Sequence, residues 1–154
     1  MLVTSLIAVV TFWSPAPEGW TADYSSALEQ ARQQNKLVLA NFTGSDWCTY
    51  CKDLKAEVFE TKTFKDWAKE NVILLELDFP HNIRLPHVIE DQNEVIGKRY
   101  AKIVEGFPTI LLLKPDGHPY GKFGYEPGGP DVWTASIEVA LNQYRNSAPK
   151  APKA

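Results

Sequence analysis

The sequence predicts an α/β domain, a three-layer sandwich with a mixed central sheet flanked by helices. Three observations predict it. Apolar runs of strand length recur at Leu37–Phe42, Val72–Asp78 and Thr109–Lys114. The stretches between them carry apolar residues at helical spacing instead. A chain of 154 residues with 44% apolar content also has the size and composition of one globular domain.

The elements follow in order. Met1 to Trp13 is apolar, and about 13 residues fall short of the roughly 20 that span a membrane. No Lys or Arg precedes this run. Two alternatives therefore stand, a first β-strand or the remnant of a secretory signal. Ser14 to Gly19 is rich in chain breakers and separates segment 1–19 from a folded domain at 20–145. Asp23 to Asn35 places Tyr24, Ala27, Leu28 and Ala31 on one helical face. Leu37–Phe42 is a buried strand, and Thr43–Asp46 turns the chain into a helix that runs to about Val58. A second helical piece covers Thr61–Glu70, with Phe64 and Trp67 inward. Val72–Asp78 is the next buried strand. Phe79 to Ile89, with Pro80 and Pro86, reads as a long loop, a kind of segment that is often functional. Glu90–Ala101 is helical through Val95, Ile96 and Tyr100. Thr109–Lys114 is a central strand, and Pro115-Asp116-Gly117 turns it into a hairpin partner near Gly121–Tyr125. A last helix spans Asp131–Tyr144. With a strand at the N-terminus the order is βαβαβαββα. The tail from Asn146 to Ala154 lacks the apolar content for a core and is expected to be disordered.

The chemistry concentrates in Trp47-Cys48-Thr49-Tyr50-Cys51-Lys52, which holds both cysteines of the chain. On a helix, residues three apart share a face with β-carbons about 5–6 Å apart, close enough for a disulfide. The helix N-terminus offers unpaired N–H groups and partial positive charge, which favour a thiolate at Cys48. Zinc is the rival ligand, but a closed site needs four donors. His81, His87 and His118 are the available histidines, and none has paired ligand spacing, so no metal is expected. Nothing in the sequence points to a bound flavin or nicotinamide, and no cofactor is expected. A net charge of −3 leaves no basic footprint for nucleic acid.

Over roughly Trp20 to Tyr144 the chain resembles the thioredoxin superfamily. Phe42…Trp47-Cys48-x-x-Cys51-Lys52, the strand Val72–Asp78, and Gly106-Phe107-Pro108-Thr109 before an apolar strand carry the match. Phe42-Thr-Gly-Ser-Asp-Trp47, Asp78-Phe-Pro80 and Gln92-Asn93 look more like bacterial, often exported members than like cytosolic thioredoxin. The resemblance implies a thioredoxin-like fold, a periplasmic or otherwise exported protein, and thiol-disulfide exchange. Cys48 would be the exposed attacking sulfur and Cys51 the more buried resolving one. Pro108 would be a cis-proline beside the pair, with Trp47, Phe107 and Pro108 meeting the substrate. The implied partners are substrate proteins with disulfides and an external dithiol reductant, such as a membrane electron donor. No dimerisation segment is apparent, so a monomer is expected.

Two departures matter. Thioredoxin carries a buried acid on the strand before its motif, thought to help deprotonate the resolving cysteine. Allowing one extra turn residue, the matching position here is Asn41, which cannot take a proton. Water or another side chain such as Glu57 is left for that role. The dipeptide Thr49-Tyr50 is the second departure, with neither the Gly-Pro of thioredoxin nor the His of strong oxidants. With no imidazolium to stabilise the thiolate, and Asp46 opposing it, the pair is expected to be reducing. The expected activity is therefore reduction of protein disulfides. A disulfide isomerase or oxidase of the same fold, or a client-binding module without turnover, are the alternatives.

Overall fold

The computed structural model describes residues 16–147. The alternatives raised for the apolar N-terminus, like residues 148–154 of the tail, lie outside these residues. Asp23 opens the first helix, α1 (Tyr24–Gln34), by accepting the Ser26 N–H at 2.7 Å. Asn35 closes it in the left-handed region, at φ 52°. The chain then enters β1 (Leu37–Thr43), buried along its whole length. Next comes α2 (Thr49–Leu54), which widens into a π-helical turn over Lys55–Phe59. Helix α3 (Lys62–Asn71) starts on Thr61, whose Oγ1 accepts the Phe64 N–H, and leads into β2 (Val72–Asp78). After a loop come α4 (His87–Tyr100), β3 (Thr109–Leu113), β4 (Pro119–Phe123) and α5 (Gly129–Ser147).

The sheet order is β2-β1-β3-β4, with β1 parallel to β2 and antiparallel to β3, and β3 antiparallel to β4. Thr21 adds a single parallel bridge to Leu75 at the outer edge of β2. Strand side chains alternate between faces, and that alternation builds two cores. Val38, Ala40, Phe42, Leu75, Leu77 and Leu111 pack against α1 and α4. Leu37, Leu39, Val72, Ile110 and Leu112 pack against α2, α3 and α5, with Phe64 and Trp133 at the centre. The expected three layers and mixed sheet are thus present.

Some boundaries differ from expectation. Helix α4 begins at His87, so His87 and Ile89 are helical rather than part of the loop. Pro86 is its N-cap, a place where a missing N–H breaks no helical bond. Val95, one of the apolar residues that marked this helix, is exposed. Strand β4 starts two residues early, at Pro119; a register shift between Leu112 and Leu113 accompanies it, and proline is tolerated where an edge strand begins. Helix α5 starts at Gly129 and continues to Ser147, so Asn146 and Ser147 are helical rather than part of the tail.

A polar cluster locks α1 to α4 beneath the β3–β4 turn. The Tyr24 and Tyr100 hydroxyls lie 2.7 Å apart, and Tyr100 donates to the Gly117 carbonyl at 2.6 Å. Gly117 has φ +83°, and a Cβ there would sit 2.6 Å from the Tyr24 hydroxyl. Thr43 is paired with Asp78, and Phe42 with Thr109, so the ends of β1 and β2 and the start of β3 share one end of the sheet. The cysteine turn emerges there.

Candidate active site at the cysteine pair

Cys48 and Cys51 form a disulfide, with Cα atoms 5.2 Å apart. Cys48 is the N-cap of α2, and its Sγ accepts the Cys51 N–H at 3.2 Å. Relative exposure is 6% for Cys48 and 5% for Cys51, so residue burial does not separate an exposed sulfur from a hidden one. What distinguishes them is position, at the helix start and one turn inside it.

The turn before α2 is tied down from several sides. The Ser45 N–H and hydroxyl donate to the two Asp78 carboxylate oxygens at 2.9 and 2.6 Å. The Asp46 carboxylate accepts three backbone N–H groups, from His81 (2.9 Å), Asn82 (2.6 Å) and Ile83 (3.1 Å). These donors, His81 first, hold its carboxyl below the usual carboxylate range. Asp46 therefore pins the loop after β2, besides carrying the charge expected to oppose a Cys48 thiolate. Lys52 Nζ donates to the Asp46 carbonyl at 3.2 Å.

Trp47 is fixed by its indole N–H, which donates to the Phe79 carbonyl at 2.9 Å. Its ring stacks on His81, centroids 4.6 Å apart and planes within 8°, and lies 5.7 Å from Phe107. Beneath it sits Gly44, where a Cβ would come within 2.3 Å of the indole. The Phe107–Pro108 peptide is cis, as the resemblance implies. The Phe107 ring packs 5.5 Å from Phe79, which brings Trp47, Phe107 and Pro108 to the same end of the sheet. Between Trp47, Phe79, His81, Leu85 and Phe107 opens a cavity of about 560 Å³. On the other side of the pair, Thr49 and Tyr50 are exposed, and Tyr50 stacks on Tyr125 at 5.6 Å.

Sequence reasoning missed His81, Asp78 and Glu76. His81, a plain loop residue by sequence, is the stacking partner of Trp47. Glu57, named for the deprotonating role, is exposed and accepts the Tyr125 hydroxyl at 2.9 Å. Asn41 is 5% exposed, and its Oδ1 has no hydrogen-bond partner among the described residues. Its strand neighbour Glu76 is partly buried. Burial, the nearby Asp78 charge adding and Lys55 opposing, pushes the Glu76 carboxyl up to about 7. The available signal was a lone acid in mid-run, in Val72-Ile-Leu-Leu-Glu76-Leu-Asp78.

A family model described as thioredoxin-like matches residues 19–115. Disulfide bond reductase DsbH of Chlamydia pneumoniae is 30% identical over 118 residues, covering 77% of this chain and 70% of that protein. Thioredoxin-related protein DsbJ of the same organism is 28% identical over 112 residues, 71% of this chain but only 32% of its own length. A solved structure of a DsbH oxidoreductase superposes with a TM-score of 0.75 at 29% identity, covering 86% of this chain and 92% of that one. A closed Cys-x-x-Cys pair on this fold makes the protein a thiol-disulfide oxidoreductase. From the family model and the DsbH match together, the chain belongs to the thioredoxin-like family.

Proposed function

We propose that this protein reduces disulfides in substrate proteins, with Cys48 as the attacking and Cys51 as the resolving cysteine. The observation that carries it is the closed pair at the open end of the sheet, with Cys48 at the helix start and no cation between the cysteines. A Cys48 thiolate attacks the substrate disulfide, and the resulting mixed disulfide is resolved by Cys51. Cys51 is already within bonding distance, so the second step is intramolecular.

The direction follows from what stabilises the thiolate. Thr49 and Tyr50 bring no positive charge, and the neighbouring Asp46 carboxyl is held below the usual carboxylate range by the backbone N–H groups it accepts, His81 first. A poorly stabilised thiolate favours the disulfide form, which is the property of a reductant. The name of its relative DsbH, a disulfide bond reductase, supports the same direction. Trp47, Phe107 and Pro108 are assigned to substrate contact, and Thr49 and Tyr50 to tuning of the couple. The working unit is the domain at 20–145, acting as a monomer in the periplasm or another exported setting. An external dithiol donor, such as a membrane electron donor, would return the pair to its reduced form.

Equilibration of the pair against glutathione tests the direction. The expected potential lies near the thioredoxin value of about −270 mV, and one above roughly −170 mV would overturn a reductase in favour of an oxidase or isomerase.

A further inference from the structure

Strands β1 and β2 are parallel neighbours, and Asn41 is paired with Glu76. Residues 37, 39 and 41 of β1 and 72, 74 and 76 of β2 share the face that packs against α2, α3 and α5. Both polar side chains therefore lie under the cysteine helix. A small cavity of about 40 Å³ separates the strands from that helix, lined by Asn41, Thr43, Cys51, Lys55, Phe59 and Glu76. That volume admits water, which needs roughly 10–15 Å³ of such space and two or more polar partners. Asn41 Oδ1 is buried and, among the described residues, lacks a protein partner, as one such partner would be.

We propose that Glu76 is the proton acceptor for Cys51 in the resolving step, acting through a water held by Asn41 in the cavity all three residues line. The acid that thioredoxin carries on the strand before its motif is here displaced one strand sideways. The inference rests on the assignment of Cys51 as the resolving cysteine. In the step, the Cys51 thiol gives its proton to the water as the water passes one to the Glu76 carboxylate. The Cys51 thiolate attacks Cys48 Sγ and forms the Cys48–Cys51 bond. The bond from Cys48 to the substrate sulfur breaks, and its electron pair leaves with the substrate as a thiolate. The two cysteines are oxidised by two electrons and the substrate disulfide is reduced by two. The proton on Glu76 is then released to solvent.

The ionisable groups bordering Glu76 suit a carboxyl that exchanges protons near neutrality. Asp78 on its own strand disfavours the carboxylate, and Lys55 on the π-helical turn favours it. Lys52 lines the same cavity, while Glu18, Glu60 and Lys65 line a second cavity bordering Glu76.

The test is single-turnover reaction of the fully reduced full chain with glutathione disulfide, quenched in acid, with mixed disulfide read by mass. A thiol with a pKa near 8.5 is about 3% ionised at pH 7, so assistance is worth at most about thirtyfold there. Glu76→Gln is expected to slow resolution about tenfold or more at pH 7, with the gap closing above about pH 9. Glu76→Asp should recover part of the rate. In a Cys48→Ala background, the Cys51 thiolate absorbance should titrate in two steps while Glu76 is present. Adding Glu76→Gln should leave one step, at lower pH, because the amide carries no charge. Loss of a merely structural side chain would slow the reaction without that fall in thiol pKa. Resolution by Glu76→Gln at the wild-type rate at pH 7 overturns the proposal. A Cys51→Ala protein that fails to trap the glutathione adduct instead overturns the role assignment, and this proposal with it.

Discussion

The contribution of Glu76 to the stability of the oxidised protein is expected to fall as pH rises. Its carboxyl is pushed from an ordinary 4.5 to about 7, chiefly because burial disfavours the charged form, with Asp78 adding to the effect. Between those values the folded chain holds a proton that the unfolded chain has lost. The Glu76 contribution therefore decreases across this window, the reverse of a salt-bridged carboxylate. The interval from 4.5 to about 7, at 1.36 kcal/mol per pH unit, corresponds to about 3 kcal/mol. The loss is absent below about pH 4.5 and complete above about pH 7. Glu76→Gln keeps the shape of the side chain and removes the charge. It should raise stability by about 3 kcal/mol at pH 8 and by little at pH 4.5. For a domain of this size that is a gain of about 6–12 °C in Tm at the higher pH. Urea unfolding of the oxidised wild type and variant from pH 4.5 to 8 measures it. A stability difference that does not change with pH would exclude a Glu76 carboxyl that titrates in this window.

Three further perturbations follow from the same geometry. Gly44→Ala drives a methyl into the Trp47 indole. It should displace the ring, shift the indole N–H resonance now bonded to Phe79, and lower the reduction rate of a protein disulfide while both cysteines still close. Tyr100→Phe leaves the Gly117 carbonyl without its buried donor, and denaturant unfolding should show a loss of about 1–3 kcal/mol with the redox potential unchanged. Tyr50→His places an ionisable ring beside the pair. Because this position is 61% exposed, an imidazolium there is worth no more than about 1 kcal/mol, or about 20 mV toward oxidising. The shift should appear at pH 6 and fade at pH 8, and no shift at pH 6 would remove the dipeptide from the account of direction.

Much of the site was legible because its signals are local. Cys-x-x-Cys after an apolar run places two sulfurs one turn apart, whatever the rest of the chain does. Gly-Phe-Pro-Thr before a second apolar run marked Pro108 through the family resemblance, and the antiparallel pairing of β3 with β1 puts it at the same end of the sheet. Boundaries were less legible where proline is the marker. Pro86 and Pro119 look like breakers in the sequence, whereas each stands at the edge of an element, where its missing N–H goes unused. His81 gave no sign of its role, because a stack on Trp47 depends on how Asp46 folds the 81–83 loop back toward the turn.

Residue type and spacing along single elements were enough for the redox pair and for the order of strands and helices, while the missing proton acceptor at Asn41 was read from the resemblance to thioredoxin. What lies beside Asn41 was set by how the strands pair. Asn41 and Glu76 are 35 positions apart, and their meeting depends on the parallel register of β1 with β2. A slip of one residue would turn Glu76 to the opposite face of the sheet, away from the cysteine helix.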